Sequence, residues 1–178
     1  MNKQLHKTFL QLEHQREQFL ARITGLSATQ FSASPAPGQW SVSQIVTHLI
    51  TSERLSIAYM KKKSLGIDQL GNSGMGSSLR MILLKISQRF PFKFKAPKVV
   101  IDNTPDAWPF DELVHQWQSV RNELSAFLES LDDKHIKRLI YKHPIAGRLD
   151  ANQAMIFFYE HANHHRPQIE RILRMHKK

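Results

Sequence analysis

Three histidines in this sequence occupy positions where a helix would otherwise carry an apolar residue. His161 and His165 stand four residues apart in "FYEHANHHRPQIERIL", an otherwise apolar, helix-forming segment. That spacing places both rings on one helix face about one turn apart, as when a helix supplies two ligands to one metal ion. His48 falls in the same way on the apolar stripe of an earlier segment, "GQWSVSQIVTHLI". These three residues are the first candidates for chemistry.

The physical question is what three imidazoles gain from burial. An imidazole is costly to bury unless its nitrogens are paired, so three buried rings are expected to share a partner. A divalent cation suits them, because neutral imidazole is the commonest metal-ligating side chain. Core histidines that bond to carbonyl groups or water are the alternative. The residues alone leave both interpretations open.

Other titratable residues give weaker signals. Five histidines lie among polar neighbours and are expected to be solvated: His6, His14, His115, His135 and His176. His143, in the turn "HPIAGRLD" before the last helix, is a secondary candidate for lining a pocket. Glu53, Glu160 and His164 are close to the three histidines in sequence, but nothing places them on the same faces. The sequence therefore assigns no general acid or base.

Composition narrows the class of protein. The chain has 178 residues, enough for one domain over residues 1–178 with a substantial core. It contains no cysteine, which excludes disulfides, thiolate metal sites and a cysteine nucleophile. No segment resembles a signal peptide or a membrane span. We therefore expect a soluble, cytoplasmic protein without a membrane partner, and the sequence leaves homodimer formation open.

The net charge of +10 is concentrated in one part of the chain. Between residues 61 and 98 there is one acidic residue, Asp68, and a local charge of +8. The basic residues are Lys61, Lys62, Lys63, Arg80, Lys85, Arg89, Lys93, Lys95 and Lys98. A solvated basic excursion is the simplest interpretation, and an anion-attracting rim or a contact with nucleic acid or a membrane is the alternative.

The elements that position these residues are helices. Four segments carry apolar residues at spacings of three and four, which predicts amphipathic helices whose apolar stripes begin at Leu5, Ile45, Leu113 and Ala154. Ser41 with Gln44, and Asp150 with Gln153, predict capping boxes. The single β-branched run is "KVVI" at 98–101. The sequence thus predicts an all-α four-helix bundle.

The link between the second and third predicted helices is long. This basic crossover segment, residues 61–109, can leave two sequential helices parallel, whereas a short turn would make them antiparallel.

Two motifs together resemble the DinB/YfiT-like superfamily. The first is "GQWSVSQIVTHLI", and the second is "HPIAGRLDANQAMIFFYEHANHHRPQI", which matches the family's "HP..G" turn and its His-x-x-x-His-x-x-Gln-Ile helix. The resemblance covers nearly the whole chain. It implies an up-down-down-up four-helix bundle with a metal site made by His48, His161 and His165. Pro167 stands where the family commonly has glycine, so a kink beside His165 is expected.

The resemblance also suggests an activity. Three imidazoles leave at least one coordination position open, as in a catalytic zinc site. An all-nitrogen site favours zinc or nickel. Relatives include transferases and isomerases that use low-molecular-weight thiols, and proteins described only as metal-dependent hydrolases. The expected function is thus thiol-dependent S-transfer or hydrolysis of a small-molecule substrate, with an anionic thiol attracted by the basic crossover segment.

Two other hypotheses stay open. One is a noncatalytic bundle that binds anionic partners or nucleic acid through residues 61–98. The absence of a recognisable nucleic-acid-binding motif argues against nucleic acid. The other is a bundle whose histidines only pack in the core.

Overall fold

The protein is described by a computed structural model over residues 1–89 and 98–176. Its helices are α1 (Lys3–Ile23), α2 (Ala28–Ser32), α3 (Val42–Ser64), α4 (Met75–Arg89), α5 (Lys98–Asn103), α6 (Phe110–Glu129) and α7 (Ala151–Met175). Two short strands, β1 (Tyr141–His143) and β2 (Gly147–Leu149), pair in an antiparallel hairpin just before α7. The four long helices α1, α3, α6 and α7 form the bundle.

Side-chain contacts give the direction of the helices. The contacts between α3 and α6 follow the same order along both helices. Near the start of each helix, Ser43 Oγ donates to the carbonyl of Trp108 (2.6 Å), and further along, Lys61 pairs with Glu123 (2.8 Å). These helices are therefore parallel, as the long crossover allowed. In the same way, α1 and α7 are parallel, because Thr8 bonds to Asn152 and Gln15 bonds to Asn163. The up-down-down-up arrangement is confirmed.

Local sequence signals account for the helix starts and the core. The predicted capping boxes at Ser41 and Asp150 are both present. The apolar stripes converge on one core, in which Ile45, Trp117, Leu124 and Phe158 are each no more than 1% exposed. Among the described residues, no helix is long and apolar enough to cross a membrane.

A buried ion pair joins three of the bundle helices. Arg121 of α6 donates to Glu53 of α3 (2.9 Å), and its Nε lies 3.7 Å from a carboxylate oxygen of Glu13 in α1. Glu53 also accepts a hydrogen bond from Trp117 Nε1 (3.4 Å). Burial raises the pKa of Glu53, and the Arg121 guanidinium opposes that shift. These polar contacts connect α1, α3 and α6 within an otherwise apolar interior.

The β-structure differs from the sequence interpretation. The β-branched run 98–101 lies in α5, where Val100 is buried. The hairpin was not predicted, because strands of three residues each are too short for an alternating apolar pattern to be recognised in the sequence. Gly147 has a φ of 70° at the end of its loop, a conformation that favours glycine. The "HPIAG" sequence was therefore the available signal for this turn.

Two of the five histidines expected to be solvated are not fully exposed: His135 is buried and His176 is half-buried. His135 is 8% exposed and its Nε2 lies 2.8 Å from Asp68 in the crossover segment. His6, His14 and His115 are exposed, as expected. Of the basic crossover residues, Lys93 and Lys95 lie outside the described part of the chain.

Candidate metal centre

Antiparallel packing of α3 against α7 brings the three predicted histidines together. His48 lies in the second turn of α3, and His161 and His165 lie in the middle of α7. One ring nitrogen of each lies within 4.8 Å of the other two. His48 and His165 are buried and His161 is half-buried. Residues more than a hundred positions apart in sequence thus form one cluster at the bundle interior.

The spacing of the nitrogens fits a shared cation. The Nε2 atoms of His48 and His161 are 3.3 Å apart. Two nitrogens on a tetrahedral zinc ion, with bonds of about 2.0–2.1 Å, lie about 3.3–3.4 Å apart. The ring centroids of the three histidines are separated by 4.9–5.2 Å. The donor set therefore suits a divalent ion with nitrogen ligands.

The protonation state of the rings also suits a metal. Burial lowers the pKa of His48 to about 4 and the pKa of His165 to about 3. For His161, burial, reinforced by the neighbouring histidines, lowers the pKa well below its usual value. All three rings are neutral at pH 7, which is the form that has a lone pair to donate.

Gln168 fixes the orientation of the His165 ring. His165 Nδ1 lies 3.1 Å from Gln168 Oε1. With Nδ1–H donating to that oxygen, the lone pair of His165 is on Nε2. Hydrogen bonds of this kind set the tautomer of metal-binding histidines. Gln168 matches the glutamine of the family motif, and the sequence analysis gave it no separate role.

Aromatic side chains enclose the cluster on two sides. The Trp40 ring stacks on His165 (centroids 6.3 Å apart) and lies 5.0 Å from the ring of His48. On the other side, Phe157 stacks on His161 at 5.4 Å. Because Trp40 is 42% exposed, it covers the ligand rings from the solvent side.

His143 belongs to the same wall. Its ring contacts Phe157, with centroids 4.4 Å apart. Its Nδ1 accepts hydrogen bonds from the backbone N–H groups of Ile145 and Ala146, at 3.1 and 3.0 Å. The neutral ring therefore carries its proton on Nε2. The hairpin thus holds His143 in one tautomer, and Phe157 separates it from the three-histidine cluster.

Pro167 lies inside α7 and does not end the helix. Helix α7 continues past Pro167 to Met175, and His165 stays within the cluster.

The acid–base candidates do not join the site. Glu53 is held in the ion pair with Arg121. Glu160 is 5% exposed, and the ring of His164 lies against that of His165, 5.2 Å away. In the part of the chain that the structure describes, no carboxylate joins the three imidazoles within 4.8 Å. The candidate ligand set is three neutral nitrogens.

Comparison with known proteins agrees with this architecture. The family model of the DinB superfamily matches residues 11–169. YfiT from Bacillus subtilis, described as a probable metal-dependent hydrolase with an unusual four-helix bundle topology, superimposes with a TM-score of 0.60. The match has 18% sequence identity and covers 99% of this chain and 90% of that chain. No curated protein matches. At this identity, the likeness to YfiT concerns the fold.

Proposed function

Because this chain belongs to the DinB superfamily, we propose that it binds one divalent metal ion through His48, His161 and His165 and hydrolyses a small-molecule substrate there. The observation that carries the proposal is the convergence of three neutral imidazole nitrogens within 4.8 Å. The likeness to YfiT, a probable metal-dependent hydrolase, supports the reaction class.

The chemistry follows from the donor set. When bound, a divalent ion with three protein ligands supplies Lewis-acid chemistry at an open position, where it lowers the pKa of water or of a thiol. Three nitrogen donors favour zinc or nickel. Gln168 holds His165 in the ligating tautomer, and Trp40 and Phe157 limit access of bulk water to the rings.

Hydrolysis is preferred to thiol transfer on electrostatic grounds. The basic crossover segment would attract an anionic thiol only if its basic residues lay close to the three histidines. Lys61, Lys62 and Lys63 lie at the far end of α3, about 20 Å along the helix from His48, beyond a Debye length of about 8 Å at physiological salt. Lys61 is paired with Glu123, and Arg80 donates to the Ala146 carbonyl. These residues therefore give no support for a thiol cofactor.

Metal analysis of protein prepared without a histidine tag tests the site. We expect about one zinc or nickel ion per chain, and none after His161→Ala. His115→Ala is the matched control, because His115 is exposed on α6. Full metal occupancy in the His161→Ala variant would contradict the assignment.

Turnover separates the two reactions. With a panel of esters, amides and thiol-reactive electrophiles, a hydrolase consumes substrate without added thiol and loses this activity in His165→Ala. A transferase requires a thiol and consumes it. Thiol-dependent conjugation of monochlorobimane by the native protein, lost in His165→Ala, would replace hydrolysis by thiol transfer while leaving the metal site intact.

A further inference from the structure

Helix α4 has an apolar face that the bundle does not cover. Its inner side packs on the core through Met81 and Leu84, which are 5% and 2% exposed. Four large apolar residues on this helix are 48–91% exposed: Met75, Leu79, Ile82 and Ile86. Their spacing of four, three and four places them within about 60° of one another, opposite the buried side. Exposed apolar stripes of this kind mark interaction sites.

The hairpin next to α4 is basic and has an exposed apolar tip. Arg80 of α4 donates from Nε to the carbonyl of Ala146 (2.9 Å), which holds the two elements together. Lys142 and Arg148 are directly opposite each other across the two strands, and both are exposed. Like charges in such a pair destabilise a hairpin. Ile145, in the loop between the strands, is 55% exposed.

Positive charge in this part of the sequence extends beyond Lys142 and Arg148. Residues 134–149 contain five Lys or Arg residues and no Asp or Glu. Exposed aliphatic side chains of α4 and the exposed basic side chains of Lys142 and Arg148 therefore occur in two neighbouring elements.

We propose that this α4–hairpin surface, formed by Met75, Leu79, Ile82, Ile86, Lys142, Ile145 and Arg148, binds the surface of a membrane that contains anionic lipids. A helix lying in the interface inserts apolar side chains between headgroups while basic residues attract anionic lipid. This contact needs no membrane-spanning helix, and it departs from the expectation that the protein has no membrane partner.

Two other occupants fit less well. Nucleic acid would pair with the basic residues but would leave the four exposed apolar side chains of α4 without a partner, because phosphates and bases are bound mainly by polar and aromatic side chains. A second copy of the chain would cover the apolar stripe but would bring one basic surface against another. Charge complementarity favours an anionic lipid surface.

Vesicle binding by the full chain tests the proposal. We expect the protein to bind vesicles that contain equal amounts of phosphatidylcholine and phosphatidylglycerol, more weakly as salt rises, and not to bind phosphatidylcholine alone. The double substitution Leu79→Gln and Ile82→Gln keeps the charge and should weaken binding about tenfold or more. Lys142→Gln with Arg148→Gln should weaken it about 30-fold, at about 1 kcal/mol for each basic residue.

Leu10→Gln is the matched control, because Leu10 is 53% exposed on α1 and its replacement should leave vesicle binding unchanged. Failure of the native protein to bind anionic vesicles overturns the proposal, as does equal binding by the Leu79/Ile82 variant. A lower Tm in that variant than in Leu10→Gln would mean that the stripe packs within the protein. Duplex-DNA binding without vesicle binding, or a dimer that the variant dissociates, would assign the surface to another partner.

Discussion

At the scale of single residues, burial sets the protonation of the candidate ligands, and hydrogen bonds set the tautomers of two rings. His165 donates from Nδ1 to Gln168, whereas His143 accepts two backbone N–H groups at Nδ1. The two neutral rings are therefore opposite tautomers: Nε2 of His165 has a lone pair, whereas Nε2 of His143 has a proton. This difference suits His165 for binding a metal, whereas Phe157 separates the His143 ring from the three-histidine cluster.

Gln168 is expected to act through His165. Replacing Gln168 by alanine removes the acceptor at Nδ1 and frees the ring to rotate, so metal affinity should fall about 10–100-fold. Titration with a competing chelator measures this. Gln11→Ala, at an exposed position of α1, is the control. Unchanged affinity in Gln168→Ala would show that packing alone orients His165.

Acid should destabilise the metal-free protein through the same rings. A histidine whose pKa is lowered on folding binds fewer protons in the folded state, so its stabilising contribution is present above the unfolded value of 6.5 and is lost as pH falls through the folded value. For His48 this window runs from about 6.5 to about 4.

Urea unfolding of chelator-treated protein at pH 7 and pH 4.5 measures the effect. We expect a loss of free energy of unfolding, on the order of 1 kcal/mol for each pKa unit. The loss should be smaller in His48→Gln, whereas the exposed His115→Gln should follow the native protein. An equal loss of free energy of unfolding between pH 7 and pH 4.5 in the native protein and in His48→Gln would contradict this prediction.

At the scale of elements, α7 carries two of the three ligands, and its start is fixed by a cap. The Asp150 carboxylate accepts a hydrogen bond from the backbone N–H of Gln153 (2.8 Å), and the backbone N–H of Asp150 donates to Oε1 of Gln153. Asp150 also accepts from the hydroxyl of Ser73 (2.5 Å), which joins the segment before α4 to the start of α7. The candidate metal ligands His161 and His165 lie eleven and fifteen residues further along the helix.

Asp150→Ala should therefore lower stability without changing the ligand geometry. We expect a loss of about 1–2 kcal/mol in the free energy of unfolding, the usual cost of a lost N-cap, with metal stoichiometry unchanged. Thermal or urea unfolding and metal analysis check the two parts. Asp106→Ala, at an exposed loop position, should be neutral. Loss of metal in a folded Asp150→Ala protein would show that the cap also positions the site.

At the scale of the whole molecule, the bundle is held by an apolar core that contains one buried ion pair. Arg121 is 1% exposed and Glu53 is 3% exposed, so neither charge has access to water. Removing one partner leaves the other buried without compensation, which costs more than removing both.

A double-mutant cycle tests this coupling. Arg121→Met should lower the free energy of unfolding by about 3–5 kcal/mol, and the second substitution Glu53→Gln should restore part of that loss. Urea denaturation of the two single variants and the double variant gives the coupling energy. The exposed pair Lys61 and Glu123 is the control, because surface ion pairs contribute about 0–1 kcal/mol. Additive effects of the Arg121 and Glu53 substitutions would contradict the interpretation.

Much of this architecture is local in origin and could be predicted from the sequence. Apolar spacing defined the long helices, Ser41 and Asp150 marked two helix starts, and the i, i+4 spacing put His161 and His165 on one face. These signals depend on residues within a few turns of each other. The length of the crossover allowed α3 and α6 to be parallel, and His48 was a candidate because it falls on the apolar stripe of its own helix.

Tertiary packing decided what depends on distant parts of the chain. The meeting of His48 with α7, the placement of Trp40 over His165, the Glu53–Arg121 pair and the burial of His135 each join residues separated by dozens of positions. Helical periodicity specifies which side of a helix is apolar but not which neighbour covers it. Helix α4 is an example, because only the tertiary packing determined that Leu79 and Ile82 are exposed while Met81 and Leu84 are buried.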